Sequence, residues 1–197
     1  MCKKIINCVV ICLSLLQFSC NKKDDKILEN TQSCELEKIF NYHKQLNSSE
    51  HTFDVISWGS SSIGRYIVLY TNKQKEIYSC IDVPLNGKIE KTWLTDLDKD
   101  TIPEVVVASV SEGTGSYGEL ILYTFKSNIL KKFDVPSLNS TQLQFYKGND
   151  HFEIKSNKIY RSFIHHKIED SNAQPTGDTT LIIYKFYNDL IRLEVTK

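Results

Sequence analysis

Thr95-Asp96-Leu97-Asp98-Lys99-Asp100-Thr101-Ile102-Pro103-Glu104-Val105-Val106-Val107-Ala108-Ser109-Val110 is the stretch that decides the fold. Its first half crowds acids and turn formers together. Its second half is a short β-branched run, which reads as a buried strand entered from a polar turn. The same alternation extends in both directions. Short segments rich in β-branched and aromatic residues are expected to be strands at 52–58, 66–70, 77–83, 91–95, 104–110, 119–125, 142–146, 158–165, 180–186 and 191–195. Turn signals at Asn86-Gly87, Gly148-Asn149-Asp150 and Asn188-Asp189 punctuate them. No repeat at a fixed period is visible, which argues against a propeller. One segment reads differently: Leu36, Ile39, Phe40, His43 and Leu46 recur at helical spacing, Ser33 can cap, and Glu35 and Glu37 suit a first turn. The expected fold class is therefore mainly β, an antiparallel β-sandwich or curved sheet with this one N-terminal helix packed on it.

The N-terminus carries an address. Lys3 and Lys4 precede an apolar run over 5–18, followed by Ser19 and Cys20. A charged n-region, a short apolar region and a small residue at the cut make an export signal. The run has about 14 residues, against the roughly 20 that a spanning helix needs, so cleavage is expected. Leu16-Gln17-Phe18-Ser19-Cys20 resembles a lipobox, with Gln17 where most carry Leu, and Cys20 is the expected lipidation site. An ordinary secretory signal with a chance cysteine is the other reading. Asn21-Lys22-Lys23-Asp24-Asp25 resembles the charged tether that some Gram-negative bacteria use to route lipoproteins to the cell surface. The expected organisation is a signal over 1–19, a flexible tether over 20–32 and a single mainly-β domain over 33–197. The mature protein is then lipid-anchored to the outer membrane, facing the periplasm or the surface.

Charge and cysteine usage narrow the classes. The whole chain balances 24 basic against 24 acidic residues, and loss of Lys3 and Lys4 with the signal leaves a formal charge of −2. Nothing there suggests a nucleic-acid partner. Of six cysteines, Cys2, Cys8 and Cys12 leave with the signal and Cys20 is spent on lipid. Cys34 and Cys80 remain, either as a disulfide in an oxidising compartment or as two free thiols, and spacing does not choose between them.

Two constellations stand out. Asp96, Asp98, Asp100 and Glu104 fall at loop positions one, three, five and nine, a spacing that can converge oxygens on Ca²⁺. Thr101 and Val107 stand where an EF-hand needs Gly and Glu, so this is not one. The pattern looks more like the calcium loop before a strand in integrin-type repeats, here in a single copy. A solvated polar turn is the other reading, and no cofactor is required. The second constellation is Ser111-Glu112-Gly113-Thr114-Gly115-Ser116-Tyr117-Gly118. Its glycines permit positive φ and close approach, and Tyr117 offers an amphipathic anchor at low entropic cost. A mobile hairpin connection is the alternative. A nucleotide loop is excluded because this segment opens a strand. No enzyme is expected. His165 and His166 are adjacent on a strand and point to opposite faces, a poor metal pair. The acidic turn, with no apolar neighbour in sequence to raise a pKa, makes a poor general acid.

These residues carry a resemblance. Thr95 to Asp100, then Pro103-Glu104-Val105-Val106-Val107, then Gly113-Thr114-Gly115-Ser116-Tyr117-Gly118 resemble the central segment of the periplasmic inhibitors of i-type lysozyme. Asp170-Ser171-Asn172-Ala173-Gln174-Pro175-Thr176-Gly177, followed by the strand at 181–186, is similar to that family's C-terminal block. The resemblance implies a β-sandwich-like domain whose loop 113–118 enters the substrate cleft of a lysozyme, i-type by analogy. The family's Ser-Gly-any-Tyr falls on Thr114-Gly115-Ser116-Tyr117, with a threonine hydroxyl in place of serine's. A surface or periplasmic binding module for a glycan or protein, stabilised by calcium, is the competing reading. A homodimer is left open. A protruding loop favours the inhibitor, and a loop folded flat favours the module.

Overall fold

In the computed structural model, residues 40–60, 62–113, 115–167, 174–187 and 190–194 are described. The signal, the tether, Cys34, Thr114, residues 170–173 of the 170–177 block and the Asn188-Asp189 turn lie outside them.

Among the described residues, twelve antiparallel strands form three four-stranded meanders in chain order. The first sheet holds β1 (Phe40–Ser48), β2 (His51–Ser60), β3 (Ile63–Asn72) and β4 (Ile77–Leu85). The middle sheet holds β5 (Lys88–Thr95), β6 (Glu104–Val110), β7 (Gly118–Lys126) and β8 (Ile129–Asp134). The third holds β9 (His151–Lys155), β10 (Lys158–His166), β11 (Pro175–Tyr187) and β12 (Leu190–Glu194). The one helix among the described residues, α1 (Ser140–Phe145), lies between the last two sheets in sequence. The mainly-β class is as the sequence indicated, elaborated into three layers.

The period-2 alternation of side chains assigns the layers. On β6, Val105 and Val107 join one core with Phe53, Val68 and Tyr70 of the first sheet. Val106 and Ala108 join a second core with Phe163, Ile182 and Tyr184 of the third sheet. All seven residues of β6 are buried, because its sheet is covered on both faces. Across the first core the hydroxyls of Tyr66 and Tyr123 meet at 2.5 Å, so each buried phenol has a partner.

Two expected elements are corrected. The N-terminal helix does not extend through 40–46, where the chain is β1, paired along its length with β2. Tyr42 and Leu46, both packed against the first core, are four apart, and that spacing puts side chains on one face of a strand as well as of a helix. The expected strand at 142–146 is α1 and its C-cap. Asn139 accepts from the Gln142 amide while the Gln142 side chain accepts from the Asn139 amide, a capping box that overrides local strand preference. Strands β1, β8 and β9 were not anticipated.

Candidate functional site

The connection from β6 to β7 begins with a closed base. The Ser111 amide donates to the Tyr117 carbonyl at 2.9 Å, and the Tyr117 amide donates to the Ser111 hydroxyl at 3.0 Å. Gly113 stands clear, with nothing within 4 Å of the place a Cβ would occupy. The returning half leans on the turn at 147–150. The Asn149 amide donates to the Gly115 carbonyl at 2.7 Å, and a Cβ on Gly148 would sit 1.7 Å from that oxygen. Gly118 has no room for a side chain either, facing the Phe152 ring at 2.6 Å and Asp150 Cβ at 2.7 Å. The segment's described residues make a ridge that is open at Gly113 and supported from Gly115 to Gly118. Tyr117, 47% exposed, rests its ring edge-to-face on Tyr146 at 5.5 Å, and Tyr146 rests on Phe163 at 4.9 Å.

Under the ridge lies a polar cluster that the sequence did not announce. The Asp150 side chain is fully buried. It accepts from the Gly118 amide at 2.7 Å, from Arg161 Nε at 2.6 Å and from the Tyr146 hydroxyl. Arg161 Nη2 also donates to the Tyr146 hydroxyl at 3.0 Å, and its guanidinium lies over the rings of Tyr146 and Phe152. Burial alone would pull the Arg161 pKa down, but the bonds to and attraction of Asp150 carry it above its ordinary value. Burial, then the bond to Asp150, push the Tyr146 phenol well up, so it stays a neutral donor. One sequence signal pointed here: Arg161 takes the inward register between Ile159 and Phe163, where a charge needs a buried partner.

The acidic turn is also organised from within. Asp96 accepts from the amides of Asp100 and Thr101 at 3.1 and 3.2 Å, and Asp100 from that of Ile102 at 2.8 Å. Glu104 is fully buried and accepts from the Leu97 amide at 2.6 Å. Burial, with the charges of Asp98, Asp100 and Asp96 adding to it, pushes the Glu104 pKa up to about 8 against the pull of that amide. The apolar surroundings missing from the local sequence are thus supplied by the fold. Carboxylate oxygens of Asp96, Asp98 and Glu104 lie within 4.8 Å of one another, a spread that oxygen ligands of one Ca²⁺ can span. Lys126, mostly buried, pairs with Asp98 at 2.7 Å and with Asp100 at 3.0 Å. Three of the four expected ligands thus gather, and Asp100 is not among them.

The histidines hold no metal group among the described residues. His165 stacks on Phe145 at 4.9 Å and meets the Thr180 hydroxyl at 2.5 Å, and His166 is buried. Cys80 is exposed on β4.

No family model and no curated protein matches the chain. Among solved structures, the chain is similar to PliI-Ah, the periplasmic lysozyme inhibitor of I-type lysozyme from Aeromonas hydrophyla. The identity is 24% over 53% of this chain and 98% of that one, with a TM-score of 0.41.

Proposed function

We propose that this protein is a lipid-anchored lysozyme inhibitor whose ridge 113–118 plugs the substrate cleft of its target. The observation that carries the reading is the support of the ridge: an open Gly113 and a half-exposed Tyr117 stand on a buried ion pair. A segment ordered before binding loses less conformational freedom on binding, and a narrow glycine-rich profile fits a glycosidase cleft. The residue pattern of 113–118 resembles the inhibitory loop of the i-type lysozyme inhibitors, which supports the same class of target. The action proposed is occlusion, with no chemistry performed by this chain, and Cys20 would hold it at the membrane.

The test is inhibition of i-type, g-type and c-type lysozymes by the wild type and by Tyr117→Ala. The variant should lose about 2 kcal/mol, roughly thirtyfold in affinity, as truncated interface aromatics commonly do. Its melting curve should hold, because the ring lies outside both cores. A wild type inactive against all three at micromolar concentration would overturn the reading.

The convergence of Asp96, Asp98 and Glu104 favours a second reading, a calcium-stabilised binding module. Calcium bound to the folded state would raise the melting temperature by mass action, and millimolar calcium compared with chelator decides it. Equal melting temperatures would leave Lys126 as the counter-charge of the turn.

A further inference from the structure

The third sheet shares its inner face with the middle sheet, and no other sheet of the described residues packs on its outer face. Alternation assigns the outer residues. Ile154, Ile159, Tyr184, Phe186 and Ile191 belong to the second core or pack against it, so Lys155, Lys158, Lys185 and Arg192, each beside one of them in sequence, point the other way. Register sets these four in line. Lys155 pairs with Lys158, Lys185 pairs with Arg192, and the pairing of Ile159 with Tyr184 brings Lys158 beside Lys185 one step outward. With strands about 4.8 Å apart, one cation from each strand makes a row roughly 15 Å long. Lys185 and Arg192 are exposed, and Lys155 keeps 63% of its side chain exposed beside Glu153.

The next step toward the β11–β12 hairpin tip is apolar. Tyr187 pairs with Leu190, and each lies two residues from a member of the row and so on the same face. They are 60% and 52% exposed. On the opposite side of the row, register places Glu153, Tyr160, Ile183 and Glu194, so acids enter one row farther from the tip than the cations. The acidic turn belongs to the inner side, where Lys126, its counter-charge, lies over the ring of Phe186.

We infer that this face docks on a bilayer surface of anionic phospholipid, with Tyr187 and Leu190 among the headgroups and the cation row at the phosphates behind them. The inference rests on the lipid-anchored reading, which brings a bilayer within reach. The chain between Cys20 and Phe40 is long enough, by residue count alone, to let the domain turn any face to that surface, so the row sets orientation. Basic side chains are drawn to an anionic headgroup layer, and a phenol with a neighbouring leucine is at home in it. A straight row offers no cage for a single small anion, and a soluble polyanion would leave Leu190 nothing to bury against. Strand β9 runs from His151, next to the Asp150 that holds the ridge, to Lys155 in the row, so docking leaves the ridge open to its target.

The test sediments the mature chain carrying Cys20→Ala, and so no lipid, with vesicles of phosphatidylethanolamine and phosphatidylglycerol, and with vesicles of phosphatidylcholine. Partition onto the anionic vesicles should exceed that onto the neutral ones by about tenfold or more and should fall with salt. Lys185→Gln with Arg192→Gln should lower it about thirtyfold. Tyr187→Ser with Leu190→Ser should lower it about tenfold while leaving the salt dependence unchanged. Lys73→Gln with Lys75→Gln, the same loss of charge on the exposed β3–β4 hairpin, should bind as the wild type does. Equal partition onto both kinds of vesicle, or an equal loss from the hairpin pair, overturns the inference. Capture by dextran sulfate without vesicle binding also overturns it and gives the face to a polymer. The assay needs neither acyl chain nor lysozyme, so it fails or succeeds apart from palmitate labelling, which decides the anchor, and from inhibition, which decides the ridge.

Discussion

Glu104 is a carboxyl group in a place that favours its protonated form. Its pKa in the fold, about 8, lies above the ordinary 4.5, so the folded state holds the proton more tightly than the unfolded chain does. Its contribution to stability is fully present below the ordinary value and is lost as pH rises through about 8. Without calcium, wild-type stability should therefore fall between those limits. Glu104→Gln keeps an acceptor for the Leu97 amide and offers N–H groups to the neighbouring aspartates without gaining a charge. Each tenfold difference in proton affinity between the folded and unfolded states is worth about 1.4 kcal/mol, so at pH 9 in chelator the variant should be more stable than the wild type by on the order of 2–4 kcal/mol. At pH 4.5 the two should be close. Urea unfolding at both pH values checks it, and parallel pH profiles for the two proteins would reject the buried-acid account.

The ridge between β6 and β7 is held by a residue 32 positions away in sequence, and its order should depend on that residue. Asp150→Ala leaves the Arg161 guanidinium buried without its charge partner and removes acceptors from the Gly118 amide and the Tyr146 hydroxyl. Losing one member of a buried pair typically costs about 3–5 kcal/mol. Denaturant unfolding should show that loss, and hydrogen exchange at the Gly118 amide should quicken. A loss under about 1 kcal/mol would mean that the cluster does not support the ridge. Such supports were largely illegible in the sequence. The strands around Val105 and Leu122 announced themselves by apolar runs, whereas β8 and β9 are short and charged. Their hairpins turn on Ser127-Asn128 and Ser156-Asn157, residues at positive φ without the glycine that usually marks such turns. The ridge was legible because its glycines are local. Its foundation was not, because Tyr146, Asp150 and Arg161 meet only after β10 pairs with β9.

At the scale of the whole molecule, topology repeats where sequence does not: three successive meanders of four strands share no period a reader could find. The lipid reading belongs at this scale too, since Cys20 lies well before the first described strand. Cys20→Ala should shift the protein from the membrane pellet to the soluble fraction and abolish palmitate labelling. Unchanged pelleting would reject acylation at that residue. The sheet covered on both faces has a consequence for assembly. Each meander closes through neighbouring hairpins, so its pairing is local, but its burial waits for chain not yet made. The first sheet, complete at Leu85, has no cover until Asp134 has followed it. From then until Glu194, the far side of the middle sheet presents Val106, Ala108, Leu120 and Leu122 as an open apolar wall. A chain halted or clipped after β8 would keep that wall, and unprotected apolar sheet surface is what drives partly folded chains to aggregate. The C-terminal third thus serves the rest of the protein as a built-in chaperone, and truncation there should show itself first as insolubility.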